Sequence, residues 1–221
     1  MIAGADPLDN RPTDISNPAA PRKLPPIEFR PEKNFKPGEV LINREQIDER
    51  IKVLAAAIYE DYKDRKLVLL TVLKGARVFS DALQEELCRL GLTNIEEETT
   101  QVLSYAGTDS SGELEWVKEP NPKKIQDEDV LLVEDIVDTG LTLSGVLVKA
   151  RQSKPRSLRS VALLSKPIRR QIEIDADYTG FEIDDHFVVG FGLDFNQQFR
   201  DDPELWIYGE GIPPEEDAAA A

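Results

Sequence analysis

One run of residues limits the possible folds more than any other. Leu67 to Leu73 (LVLLTVL) is almost wholly apolar, of strand length, and cut off by Lys74-Gly75. A strand without polar alternation is buried on both faces, as inside a parallel sheet covered by helices. The surrounding segments fit that arrangement. Asn43 and Gln46 can form a capping box, and Ile47, Ile51, Leu54, Ala55, Ile58 and Tyr62 follow helical spacing, so 44–63 is predicted to be an amphipathic helix. Beyond Lys74-Gly75, Phe79, Leu83, Leu87 and Leu90 mark one face of a second helix, with Gly91 as its stop. Thr99 to Tyr105, Val130 to Val133 and Ser160 to Leu164 read as further strands, and Thr142 to Arg151 as a third helix. Tyr178 to Ile183 and Phe187 to Leu193 read as late β segments. The alternation predicts an α/β fold with a central parallel sheet flanked by helices. Ligands of such sheets collect at the C-terminal strand ends, so chemistry is expected just after Leu73, Val133 and Leu164.

The flanks differ in character. Residues 1–38 hold eight of the fifteen prolines and show no period, so an extended or disordered arm is expected, either a plain linker or a segment packed on a neighbouring subunit. Residues 209–221 (GEGIPPEEDAAAA) are expected to be a disordered acidic and alanine-rich tail. Residues 39–208 are of a size for one domain. Asp and Glu number 42 against 27 Lys and Arg, a net charge of −15 that disfavours binding to nucleic acid or to anionic membranes. A single cysteine, Cys88, and a single histidine, His186, leave no intrachain disulfide and no Cys/His zinc site. No apolar run approaches the roughly 20 residues of a membrane helix, and the N-terminus lacks the basic start and apolar stretch of a signal peptide. A soluble, cytoplasmic protein is therefore expected. Cys88 reads as a small buried residue of its helix, His186 as a surface turn residue, and Trp116 and Trp206 as packing residues.

The segment that carries chemistry is Glu134-Asp135-Ile136-Val137-Asp138-Thr139-Gly140-Leu141-Thr142. Two adjacent carboxylates leave the end of a buried strand, a third follows, and a Thr-Gly-Leu-Thr turn opens a helix. Backbone N–H groups, hydroxyls and the helix dipole make such a turn a cradle for phosphate. The carboxylates cannot bind phosphate. They suit ribose hydroxyls, a bound Mg²⁺ or a proton to be removed, so the segment implies a phosphorylated sugar. Val137 to Gly140 also matches the hydrophobic-Asp-Thr-Gly signature of aspartic proteases. Those folds are all-β, and a single copy would require a dimer sharing one proton between two aspartates.

VLLVEDIVDTGLTL resembles the phosphoribosyl-pyrophosphate signature of the type I phosphoribosyltransferases, and the acidic pair before I-V-D-T-G is closest to the hypoxanthine-guanine branch. LVLLTVLKGARVF (67–79), SYAGTDSSGE (104–113), VALLSKP (161–167) and GFEIDDHFVVGFGLDFNQQFR (180–200) are similar, in order, to that branch's first active-site loop, mobile loop, purine-contacting segment and base-binding hood. With EVLINREQIDERI, the resemblance spans 39–200. It implies a Rossmann-like central parallel sheet with a small hood, contributed mainly by about 166–200. It implies Mg²⁺-dependent transfer of a phosphoribosyl group to a 6-oxopurine, in a homodimer or homotetramer. A regulator that binds phosphoribosyl pyrophosphate and RNA without turnover is the alternative, and would call for a basic face with interleaved aromatics.

The resemblance also implies roles. Glu134 and Asp135 hold the ribose hydroxyls and stand near Mg²⁺; Asp138 is the general base toward purine N7, with a proton affinity raised by the two carboxylates beside it. Thr139, Gly140, Leu141 and Thr142 take the 5′-phosphate. Lys74, Gly75 and Arg200 contact pyrophosphate, and the Leu73–Lys74 peptide bond is expected to be cis. Lys166 donates to the purine 6-oxo oxygen, Phe187 stacks on the base, and the Val188 backbone reads its edge. Asp194 lies near the base and a second Mg²⁺, and Ser104 and Tyr105 belong to a loop that closes over the site. The pattern is broken by the arm 1–38, by Ala76-Arg77, with Arg77 a candidate subunit contact, and by DDPELWIYGE after Arg200. From Thr139 to Ile172 there is no acidic residue, while Lys149, Arg151, Lys154, Arg156, Arg159, Lys166, Arg169 and Arg170 are basic. Most of these read as solvated ends and edges, but together they offer local basicity to a polyanionic substrate.

Overall fold

Alternation within the strands decides which layer each residue joins. The structure is a computed structural model that describes residues 24, 26–28, 38–103 and 114–209. Its strands are β1 (Ile27–Glu28), β2 (Val40–Ile42), β3 (Leu67–Leu73), β4 (Ile95–Leu103), β5 (Glu115–Lys118), β6 (Asp129–Val137), β7 (Ser157–Ser165), β8 (Tyr178–Glu182), β9 (Val188–Val189) and β10 (Leu205–Ile207). The helices are α1 (Arg44–Tyr62), α2 (Arg77–Arg89), α3 (Pro122–Ile125) and α4 (Leu141–Gln152).

Leu67 and Leu69 of β3, with Leu131 and Val133 of β6, pack on Ile47, Ile51, Leu54, Phe79, Leu83 and Leu87 of α1 and α2. Val68, Leu70, Val130 and Leu132 turn the other way, onto Ile125, Leu143, Val146, Leu147 and Ala150 of α3 and α4. Successive strand residues thus feed two cores on opposite faces, which is why β3 and the first half of β6 show no polar alternation. The capping box forms as expected: Gln46 N donates to Asn43 Oδ1 and Asn43 N to Gln46 Oε1, each at 3.0 Å.

The main sheet has the order β1-β8-β7-β6-β3-β4-β5, parallel except for the antiparallel edge pair β4–β5. Connections run outward from its middle in two directions, so the switch point lies between β3 and β6. Two residues of the proline-rich stretch, β1, extend the sheet beside β8. A second, three-stranded antiparallel sheet, β2-β10-β9, forms the hood. Two of its strands, 40–42 and 205–207, lie outside 166–200, so the hood takes its sheet from both ends of the domain as well as from that span. The described residues form an α/β fold, not the all-β fold that a protease reading needs.

Several expectations on the elements are corrected. β6 does not stop at Val133 but runs through the acidic pair to Val137, because β7 continues to pair with it as far as Val137↔Ser165. Only Val188 and Val189 of 187–193 are strand, since Gly190, Phe191 and Gly192 adopt positive φ and turn the chain. Cys88 is exposed, and Leu90 is 36% exposed: Phe79, Leu83 and Leu87 set the inward face of α2, Cys88 follows Leu87 off that face, and Leu90 lies past the last turn. His186 is half-buried in a loop, with its N–H on the Asp184 carbonyl. Arg77 is engaged within the chain by Asp81 and Glu97. No helix among the described residues is long and apolar enough to cross a membrane.

Candidate active site

The site opens where two ladders end at different heights. Pairing of β6 with β3 ends at Thr71↔Val133, while pairing with β7 continues to Val137↔Ser165. Glu134 and Asp135 therefore stand on a strand that is paired on one side only, above the switch point.

Glu134 is 4% exposed, and its Oε2 has no hydrogen-bond partner among the described residues. Burial, reinforced by the charge of Asp135, holds its carboxyl well above the usual carboxylate range. Burial likewise pushes Asp135 up to about 6, against the hydrogen bond from Ile136 N (2.8 Å) and the field of Arg200. Asp135 reaches across to the loop after β3. A Cβ on Gly75 would lie 1.6 Å from Asp135 Oδ2, so only glycine lets that loop pass the carboxylate. The Leu73–Lys74 bond in this loop is cis, as expected. Lys74 is exposed, with Nζ 3.4 Å from Gln197 Oε1.

The late loop folds back onto the same place. Gly192, at φ +96°, passes so close to the Gly75 carbonyl that a Cβ there would sit 2.1 Å from it. Arg200 fixes this approach by donating to Gly192 O at 2.7 Å and pairing with Asp194 at 2.5 Å, while Asp194 Oδ2 accepts Gln197 N at 2.8 Å. The structure thus brings Lys74, Gly75, Asp135, Asp194 and Arg200 into one cluster.

Asp138 follows β6, and Gly140 turns the chain at φ +87° into α4 against Ile172 and Ile174. Thr139 Oγ1 accepts Leu141 N (3.3 Å), and Leu141 and Thr142 form the first turn of α4. The expected setting of Asp138 is corrected. The charge in contact with it is the Arg169 guanidinium, 3.2 Å from Oδ1. Lys166 follows β7, buried, with its N–H on the Val137 carbonyl (2.9 Å). Burial lowers its proton affinity, and Asp138 and Asp185 counter this.

In the hood, Phe187 is 53% exposed, while Val188 is buried and paired with Ile207. The Phe187 ring meets Phe195 and Tyr208 edge-on at 5.9 and 5.5 Å. Ser104 and Tyr105 lie outside the described residues. Among the described residues no three acidic, Cys or His side chains are grouped to hold a metal alone. Glu134 and Asp135 nevertheless fit Mg²⁺, a hard cation that takes one or two carboxylates and fills its remaining positions with water and substrate oxygens; the unpartnered Glu134 Oε2 is such a donor.

Known proteins match this arrangement. A family model described as the phosphoribosyl transferase domain matches residues 42–196. The chain belongs to the phosphoribosyl transferase family. It is similar to the hypoxanthine-guanine phosphoribosyltransferase of Bacillus subtilis, at 38% identity over 76% of this chain and 92% of that protein. For the Mycobacterium avium enzyme of the same name the figures are 38%, 83% and 88%. It also matches the bifunctional TilS/HprT protein of Listeria monocytogenes at 38%, where it spans only 26% of that protein's length. Among solved structures, a hypoxanthine phosphoribosyltransferase of Staphylococcus aureus aligns with TM-score 0.71 and 37% identity over 77% of this chain and 91% of that one. That of Trypanosoma cruzi aligns with TM-score 0.73 and 33% identity over 80% and 95%.

Sequence reasoning named Arg169 and Arg170 only as part of a basic stretch, without their ties to Asp138, and missed Gln197, Gly192, Phe195 and Tyr208. The Arg-Arg pair three residues after Lys166, within a stretch free of acids, was the signal available for the first two. The others depend on backbone turns at positive φ or on tertiary contact alone.

Proposed function

We propose that the chain is a purine-salvage enzyme that transfers the 5-phosphoribosyl group of phosphoribosyl pyrophosphate to hypoxanthine or guanine, releasing pyrophosphate and the nucleoside monophosphate. The observation that carries this reading is the buried Glu134–Asp135 pair, with Glu134 Oε2 unpartnered among the described residues, beside the Thr139–Thr142 turn that opens α4. A ligand that satisfies both has a diol and a phosphate. Glu134 and Asp135 accept from the ribose hydroxyls, and their charge favours a sugar that becomes cation-like as pyrophosphate leaves. The N–H groups of the cradle hold the 5′-phosphate. Lys74 and Arg200, beside Gly75, meet pyrophosphate. Mg²⁺, when bound at Glu134, Asp135 or Asp194, supplies positive charge to the pyrophosphate oxygens.

On the base side, Phe187 offers an exposed ring for stacking and the Val188 backbone an edge. Lys166 donates to a 6-oxo oxygen and disfavours the 6-amino group of adenine. Asp138 accepts the N7 proton once the base displaces Arg169 from its carboxylate. The loop of Ser104 and Tyr105 closes over the sugar and excludes water. The same reading places the enzyme in the cytoplasm as a homodimer or homotetramer, which light scattering of the purified protein resolves. The deciding experiment incubates the protein with phosphoribosyl pyrophosphate and Mg²⁺ and, in turn, hypoxanthine, guanine, xanthine and adenine, and separates products by chromatography. Nucleotide from hypoxanthine or guanine and little from adenine is expected; none from any 6-oxopurine refutes the reading.

A further inference from the structure

One guanidinium ties together the two strand ends that carry the base-handling groups. Arg170 follows the 3₁₀ turn Pro167–Arg169, and its side chain is 12% exposed. Its Nη1 donates to the carbonyls of Val137, Asp138 (2.6 Å) and Lys166 (3.2 Å). Its Nη2 donates to Ser165 Oγ at 2.7 Å, and its Nε to Ile174 O at 2.9 Å. Three of these acceptors, on Val137, Asp138 and Lys166, belong to the chain on which Asp138 and Lys166 are mounted. Two others, on Ser165 and Ile174, anchor the guanidinium to the end of β7 and to the turn under Gly140. Among the described residues its one ion pair is with the exposed carboxylate of Asp175, 3.5 Å away. A structural ion pair would aim at an acid. This group aims instead at backbone carbonyls, which its planar fork can bridge and a lysine ammonium cannot.

We propose that Arg170 is a positioning residue that locks Asp138 and Lys166 into one unit, so that the proton acceptor for N7 and the donor to the 6-oxo oxygen meet the purine in register. The inference rests on the function proposed above. If it is correct, loosening the clamp weakens recognition of the base and leaves the phosphoribosyl side untouched, because Lys74, Gly75, Asp135 and Arg200 are held by contacts that do not include Arg170.

The test measures KM for hypoxanthine and for phosphoribosyl pyrophosphate separately in wild type, Arg170→Lys and Ser165→Ala. A change that merely destabilises the fold lowers the active fraction, and hence apparent kcat, without moving either KM. For Arg170→Lys the expected result is a hypoxanthine KM raised at least about tenfold, with the other KM within about twofold. Ser165→Ala removes one acceptor of the clamp and keeps the guanidinium, so about a threefold rise in hypoxanthine KM alone is expected. Should Arg170→Lys fail to fold, Ser165→Ala decides. Unchanged hypoxanthine KM, or parallel rises in both constants, overturns the inference. Absence of nucleotide formation by wild type would instead overturn the function on which it rests.

Discussion

Strand β6 carries a buried acid at each end, and the fold treats the two in opposite ways. At its start Asp129 is fully buried, with Oδ1 accepting from Ser157 Oγ at 2.6 Å and Arg156 and Arg65 standing 3.3 and 3.7 Å from its oxygens. Near its finish Glu134 is almost as buried, and its Oε2, like Asp129 Oδ2, has no hydrogen-bond partner among the described residues; where two arginines stand beside Asp129, the charge beside Glu134 is that of Asp135, of the same sign. A buried acid flanked by arginines serves the fold. One flanked by a like charge costs stability, the mark of a group kept for what it binds. The difference distinguishes the two ends of the strand by the sign of their neighbours, and it is the end nearer the Thr139–Thr142 turn that stands beside a like charge.

The sharpest way to break this comparison is to alter the chemical end beyond Glu134. Asp138→Asn is expected to lower turnover by about 10²–10⁴. Hypoxanthine affinity by calorimetry should persist, and the unfolding midpoint should hold within about 2 °C, because the side chain is partly exposed. Near-full turnover removes Asp138 from its role. The reverse pattern is expected at the structural end. Asp129→Ala leaves Ser157 and two arginines without their common acceptor, so stability should fall by about 2–3 kcal/mol, a midpoint lowered by roughly 5–10 °C. Its kcat/KM should stay within about twofold; a loss of activity without a loss of stability would erase the distinction between the two ends.

Both ends are spelled with acidic residues, so the distinction between them was not legible in the sequence. What was legible followed from local rules. The run 67–73 is a strand from its first to its last residue, and the Asn43–Gln46 box begins α1, because burial on two faces and capping are written in consecutive residues. Where pairing partners are remote, reading failed. The acidic residues 134 and 135 looked like the end of a strand, yet β7 carries the ladder past them. Glu115–Lys118 was passed over because its charged pattern makes sense only beside the end of β4. Of the site residues carried over by resemblance, the structure brings Lys74, Asp135, Asp194 and Arg200 together around Gly75. The ties of the carried-over residues to Arg169, Arg170 and Gln197 required a fold before they could be named.

A subtler change tests Glu134 itself. Glu134→Gln replaces a buried carboxyl that burial forces to hold its proton with an amide that needs none, so the unliganded protein should be as stable as wild type or more so, the opposite of Asp129→Ala. Catalysis should fall by roughly tenfold to a hundredfold in kcat/KM for phosphoribosyl pyrophosphate, since the neutral amide no longer stabilises a cation-like sugar. A midpoint lowered by several degrees would place Glu134 among the structural acids.

The smallest effect is the pH dependence of the unliganded protein, and its sign follows from the same burial. Glu134 is held well above the usual carboxylate range and Asp135 at about 6, in both cases chiefly by burial. Each therefore holds its proton in the folded chain at pH values where the unfolded chain has released it. Their favourable contribution is complete below about pH 4, the unfolded value, and is lost as pH rises through the folded one. Asp135 spends its share between about pH 4 and 6, and Glu134 continues the loss above its ordinary range. Other carboxylates add slopes of their own, so the informative quantity is a difference. The midpoint of Glu134→Gln minus that of wild type should widen as pH is raised from about 5 to 8, by the equivalent of about 1 kcal/mol once relaxation around the charge is allowed for. Phosphoribosyl pyrophosphate with Mg²⁺ should shrink this difference, because bound ligand supplies hydrogen-bond donors and a cation to the carboxylate. A difference that stays flat with pH would mean that Glu134 titrates as an ordinary surface acid, and the contrast between the two ends of β6 would then be one of geometry alone.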